Sequence, residues 1–161
     1  MKRWLWWFLL APHSFLVAGA WHDAGLPPID MAALACLWLA FFADRRAVPW
    51  LLLGFALGRC LVDPASLPVQ LLVLGIPVAV LLPLRTLFFG QRWVWQVVAA
   101  ATCAVAVPRL AALCMRLFEQ PGGANLVDLV ATGWAALSLP PLLFLLRRLP
   151  PFAAFDEEVR G

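Results

Sequence analysis

Residues 51–85, LLLGFALGRCLVDPASLPVQLLVLGIPVAVLLPLR, hold two apolar runs hinged at Asp63-Pro64. Gly54 and Gly58 give the first run a Gly-x-x-x-Gly face, and Pro68, Pro77 and Pro83 punctuate the second. A small domain in water cannot bury so much apolar surface, because short chains leave a large share of their area exposed. Arg59 and Asp63 stand four residues apart, so on a helix they share one face. The stretch reads as a membrane hairpin with one polar seam.

The rest of the chain repeats that style. Of its 161 residues 64% are hydrophobic and 13% charged, with mean hydropathy +0.89. A soluble domain would carry about a quarter charged residues. The expected class is therefore an all-α integral membrane protein, forming one transmembrane domain over residues 1–161. Crossing a bilayer takes roughly 20 apolar residues, with about 17–25 tolerated. Six candidate spans follow, at about 4–21, 29–43, 48–62, 67–89, 94–117 and 126–146, as a compact bundle. The second and third are short enough to be thin, tilted or partly re-entrant.

Basic residues set the orientation, since Lys- and Arg-rich loops stay cytoplasmic. With the N-terminus inside, nine of twelve fall on the inner side: Lys2, Arg3, Arg45, Arg46, Arg85, Arg92, Arg147, Arg148 and Arg160. Only Arg59, Arg109 and Arg116 fall elsewhere, so both ends are expected to be cytoplasmic, N-in and C-in. Met1-Lys2-Arg3, an apolar run and Ala18-Gly19-Ala20 have the outline of a signal peptide. The run is long for that and closes on Trp21, so an uncleaved first span is expected. Residues 150–161, with Asp156-Glu157-Glu158, read as a frayed cytoplasmic tail.

Trp4, Trp6, Trp7, Trp50, Trp93 and Trp95 fit an inner interfacial belt and Trp21 an outer one, while Trp38 and Trp134 fall deeper, between helices. Small residues recur at helical spacing at Ala32/Cys36/Ala40, Gly54/Gly58 and Ala100/Ala104. Such faces let helices approach closely, within the chain or against another membrane protein. The charges inside spans carry more information, because an arginine at mid-bilayer needs a partner or a wet cavity. Arg59, Asp63, Arg109, Arg116 and Asp128 are candidates for one polar seam. They would pair and lock the helices, hold an anionic headgroup or substrate, or meet a partner helix.

Catalytic patterns are absent. His13-Ser14 lacks a nucleophile elbow, and no phosphate loop, metal motif or carboxylate pair occurs, so no catalytic residue, metal or cofactor is expected. Cys36, Cys60, Cys103 and Cys114 lie in apolar runs without CxxC spacing and read as small buried side chains. The arginines sit at segment ends rather than in a patch, which argues against nucleic acid.

Pro28-Ile29-Asp30, the basic loop Asp44-Arg45-Arg46, Leu53-Gly54-Phe55-x-x-Gly58 leading to Asp63, and Ser66-Leu67-Pro68 together resemble the rod shape-determining MreD family of bacteria. The resemblance covers roughly residues 27–152. Arg59 stands where that family is usually apolar, and Pro64 follows the Asp directly. It implies a non-enzymatic scaffold subunit of the cell-elongation complex in the bacterial cytoplasmic (inner) membrane, supporting peptidoglycan synthesis and cell shape. The implied partners are membrane lipids, an MreC-like protein, a RodA-type glycosyltransferase, a class B penicillin-binding protein and the actin-like MreB. The fold is similar to the substrate-binding subunits of energy-coupling-factor transporters, so a small-molecule (vitamin-type) capture subunit is the alternative. The first span lacks the Ala-x-x-x-Ala docking face typical of those subunits.

Overall fold

The computed structural model describes residues 2–25, 29–85, 92–119, 129–149 and 152–155, and all regular structure among them is helical. In chain order the helices are α1 (Lys2–Leu10), α2 (His13–Asp23), α3 (Met31–Phe41), α4 (Val48–Cys60), α5 (Leu67–Leu81), α6 (Arg92–Leu117) and α7 (Leu129–Arg148). A 3-10 helix, Phe152–Phe155, follows.

Helix α3 is the centre. All eleven of its residues are buried, and α2, α4, α5, α6 and α7 pack around it. Its sequence, MAALACLWLAF, is apolar on every side, which is the pattern of a helix with no solvent face. Alanines at 32, 33, 35 and 40 keep it thin enough for five neighbours to close in.

The helices differ in length. At 1.5 Å per residue α3 covers about 16 Å of a hydrocarbon core roughly 30 Å thick. Among the described residues only Val94–Leu117 is both long and apolar enough to cross a membrane, whereas Met31–Phe41, Val48–Cys60 and Leu67–Leu81 are shorter apolar helices. The fourth expected span stops at Leu81, because Pro83 offers no N–H to continue the ladder. The turn at 121–123, Arg160 and residues 156–158 of the tail lie outside the described residues.

The first expected span is two helices. Pro12, which has no N–H for the Phe8 carbonyl, breaks it, and side chains add bonds beside the break: His13 Nδ1 lies 2.6 Å from the Leu9 carbonyl, and Ser14 Oγ donates at 2.6 Å to the Ala11 carbonyl, which also accepts the Ser14 amide. His13 and Ser14 thus brace a helix break. The break packs on α4, where a Cβ on Gly58 would lie 2.6 Å from Pro12 Cα and 2.9 Å from its carbonyl oxygen. Gly54 similarly admits the Trp7 indole.

Trp7, expected in the interfacial belt, is instead fully buried and stacks on Trp38 at 5.4 Å. Trp38 is buried as expected, whereas Trp134 is 46% exposed. The tail also differs from expectation, since residues 152–155 are packed rather than frayed. Phe152 lies edge-on to Trp38 at 5.2 Å, Phe155 edge-on to Trp7 at 5.6 Å, and the Asp44 amide donates to the Phe155 carbonyl at 3.0 Å. Two phenylalanines at i and i+3 give the tail one apolar face, enough to dock it against the aromatic end of the bundle.

The close approach at Gly58 gives a direct test. Gly58→Ala should lower stability by about 1–3 kcal/mol through overpacking, despite the helix propensity gained. Gly19→Ala, with nothing within 4 Å of the added methyl, should be neutral or stabilising. Thermal unfolding in lipid nanodiscs reads both, and equal stability of the two variants would contradict the docking of the Pro12 break on α4.

Candidate functional site

Three chain ends meet where α3 and α5 begin and α4 stops. Asp30 is the N-cap of α3, its Oδ1 accepting from the Ala33 amide at 2.9 Å. A carboxylate there satisfies one otherwise unpaired N–H and complements the helix dipole. Arg59 lies in the last turn of α4, and the Asp63 amide donates back to its carbonyl at 2.8 Å. Asp63 in turn shapes the hinge, with Oδ1 accepting from the Ala65 amide at 3.1 Å. Gln70 sits in the first turn of α5, its amide bonded to the Ser66 carbonyl at 3.1 Å and its side chain only 1% exposed.

Arg59 pairs loosely with Asp63, Nη2 to Oδ2 at 3.9 Å, and its charge also acts on Asp30 and Cys36. One helical turn along α5, Cys36 Sγ lies 3.6 Å from the Leu74 carbonyl, which fixes α3 against α5. Cys103 of α6 adjoins Cys36. Cys36, Cys103 and Cys114 are buried as expected, and Cys60 is half-buried with Sγ 3.8 Å from the Ala65 carbonyl.

Several polar atoms at this junction are sealed from solvent without a hydrogen-bond partner: Arg59 Nη1 and both Oε1 and Nε2 of Gln70. Each such atom costs about 1–3 kcal/mol when nothing satisfies it. Arg59 Nη1 and Gln70 Nε2 are donors and Gln70 Oε1 is an acceptor, and a small polar group such as water could satisfy each of them. Among the described residues no group of three or more His, Cys, Asp or Glu side chains could hold a metal.

Four of the five residues expected to form the seam are among the described residues. Arg59 and Asp63 come together, whereas Arg109 and Arg116 are exposed on α6, and Asp128 lies outside the described residues. Asp30 and Gln70 complete the junction in their place. Both left a trace in the sequence: Asp30 precedes an unbroken apolar helix, the position of a cap, and Gln70 is a lone amide in an apolar run. The small-residue faces are turned inward. Ala32, Cys36, Ala40, Ala100 and Ala104 are buried, and Gly54 and Gly58 are covered by Trp7, Pro12 and Phe15 of the same chain.

At the opposite end of α3, Arg85, expected on the inner side within the fourth span, is 5% exposed. Its Nη1 donates to the Ala43 carbonyl at 2.9 Å. Around it Arg147 lies 4.0 Å from the Phe42 ring centroid and Arg3 5.3 Å from that of Phe155.

Compared with known proteins, the chain matches no family model, no curated protein and no solved structure.

Gln70 separates a structural junction from a binding one. Gln70→Leu keeps the volume and removes both unpartnered atoms, so it should raise stability by about 1–3 kcal/mol. A loss of similar size in thermal unfolding would mean that a bound group satisfies the amide in the native protein.

Proposed function

We propose that this chain is a multi-pass protein of the bacterial cytoplasmic membrane, with six apolar segments in the bilayer and both ends inside. In this reading it is a non-enzymatic scaffold of the MreD type, joining cell-elongation proteins that build peptidoglycan. The observation that carries the membrane reading is the apolar outer surface. Large hydrophobic side chains are exposed on every described helix except α3, among them Leu5 at 70%, Trp50 at 60%, Val80 at 60% and Leu137 at 63%. In water such surface would drive aggregation, whereas in lipid it is ordinary contact.

The charge distribution supports the same reading. Arg3, Arg85 and Arg147 gather at the end where α3 finishes, and Arg59 with Asp30 and Asp63 at the other. A basic end and a mixed, acid-bearing end fit an inner and an outer face. The scaffold role rests on the sequence resemblance. A second reading, capture of a small polar solute by a transporter subunit, draws on the unpartnered atoms of Arg59 and Gln70.

Affinity purification from native membrane, with cell shape followed after depletion, decides between them. The scaffold reading expects an MreC-like protein, a RodA-type glycosyltransferase and a class B penicillin-binding protein to co-purify, with MreB alongside, and rods to round up on depletion. An ATPase module in the eluate, normal rods and lost uptake of a vitamin would overturn it.

A further inference from the structure

Helix α6 has an inner and an outer side. Ala100, Cys103, Ala104, Val107, Ala111 and Cys114 are buried against the bundle. The opposite side runs through Trp95, Val98, Thr102, Arg109, Leu113 and Arg116, all exposed. Thr102 is satisfied within the helix, its hydroxyl donating to the Val98 carbonyl at 2.8 Å. Arg109 and Arg116 are different. Among the described residues neither has an ion-pair partner.

Their depths differ. Arg116 is one residue from the end of the apolar stretch Val94–Leu117, where its guanidinium reaches headgroups. Arg109 lies eight residues in, about 12 Å at 1.5 Å per residue, a third of the way along the 24-residue stretch. An arginine held there on an outward face is costly unless a charge meets it. Among the described residues a second copy of this chain offers none at that depth, because Asp23, Asp30, Asp44, Asp63 and Glu119 all lie at or beyond the ends of helices, while Asp128, Asp156, Glu157 and Glu158 lie outside those residues. A headgroup can meet Arg116 but sits two turns above Arg109.

We propose that the outward face of α6, with Arg109 at its centre, docks a transmembrane helix of a different protein that carries an Asp or Glu near its midpoint. The inference rests on the membrane reading above and adds the face and the chemistry of the partner. Arg116, seven residues on, lies on the same stripe, so a helix crossing at a shallow angle keeps contact with both. The apolar residues between them, Leu113 foremost, supply the packing. The small-residue faces are used inside the bundle, which leaves this stripe as the surface with a chemical preference.

The test uses the full-length protein in phosphatidylcholine nanodiscs. The probe is a dye-labelled single-span Leu/Ala peptide bearing one central Glu, compared with its Gln and Leu counterparts, and binding is read by energy transfer. The Glu peptide should bind at least about tenfold tighter than the Leu peptide. Arg109→Leu should abolish that preference, Arg109→Lys should keep most of it, and Arg116→Leu should weaken it less. Removing a lipid-facing charge should not impair insertion, so Arg109→Leu remains interpretable. Equal binding of the Glu and Leu peptides would overturn the proposal. So would a preference that survives Arg109→Leu, or one abolished by adding phosphatidylglycerol, which would make a lipid headgroup the occupant. Self-association through Arg109 without peptide would likewise overturn it. Labelling of a Cys at position 109 by an impermeant reagent would defeat the membrane reading itself. A shielded position 109 with no Glu preference would defeat the docking alone.

Discussion

A helix of eleven residues with no solvent face cannot end in an apolar interior without help. Its first amides and last carbonyls have no intrahelical partners, and each such group left unsatisfied away from water is expensive. In α3 both ends are met. Asp30 accepts at the start, with Arg59 nearby, and Arg85 donates to Ala43 at the finish. A negative group at the N-terminus and a positive one at the C-terminus also match the helix dipole. The outer helices are wrapped around that short, capped rod, and most buried polar chemistry of the chain lies at its two ends.

The two ends are built differently. At the basic end, aromatic rings do the closing: Trp7, Trp38, Phe55, Phe152 and Phe155 form one cluster, and Arg3 and Arg147 lie over rings at its border. Residues 152–155 join this cluster through their backbone as well as their rings, so that segment and α1 are tied to the same floor. At the other end the closure is polar, and buried atoms without a hydrogen-bond partner occur at both: Nε1 of Trp7 and of Trp38 within the aromatic cluster, and atoms of Arg59 and Gln70 at the junction.

Much of this was legible in the sequence. Composition and apolar runs marked out helices near each expected position, and the buried status of Cys36, Cys103, Cys114 and Trp38 followed from their apolar settings. Three things were not legible. Helix α5 ends at Leu81, a stop that Pro83 sets and the longer apolar run does not mark, and residues 86–89 of the expected span lie outside the described residues. The hydrogen bond of Arg85 is visible only once α3 and α5 are side by side, since its acceptor is a carbonyl 42 residues away. The expected grouping of five charges assumed that polar residues in apolar helices seek one another, whereas α6 turns Arg109 and Arg116 outward. Rotation of a helix about its axis is set by its whole buried face, here the small residues from Ala100 to Cys114, and two charges do not override it.

The central claim is that the bundle around α3 is embedded in a bilayer with its basic end inside. Single cysteines placed at Gly122 and at Glu157, in a background free of native cysteines, measure this most directly in intact cells. The account predicts that an impermeant thiol reagent labels position 122 and spares position 157 until the membrane is opened. Labelling of both positions in intact cells, or of position 157 alone, would contradict it.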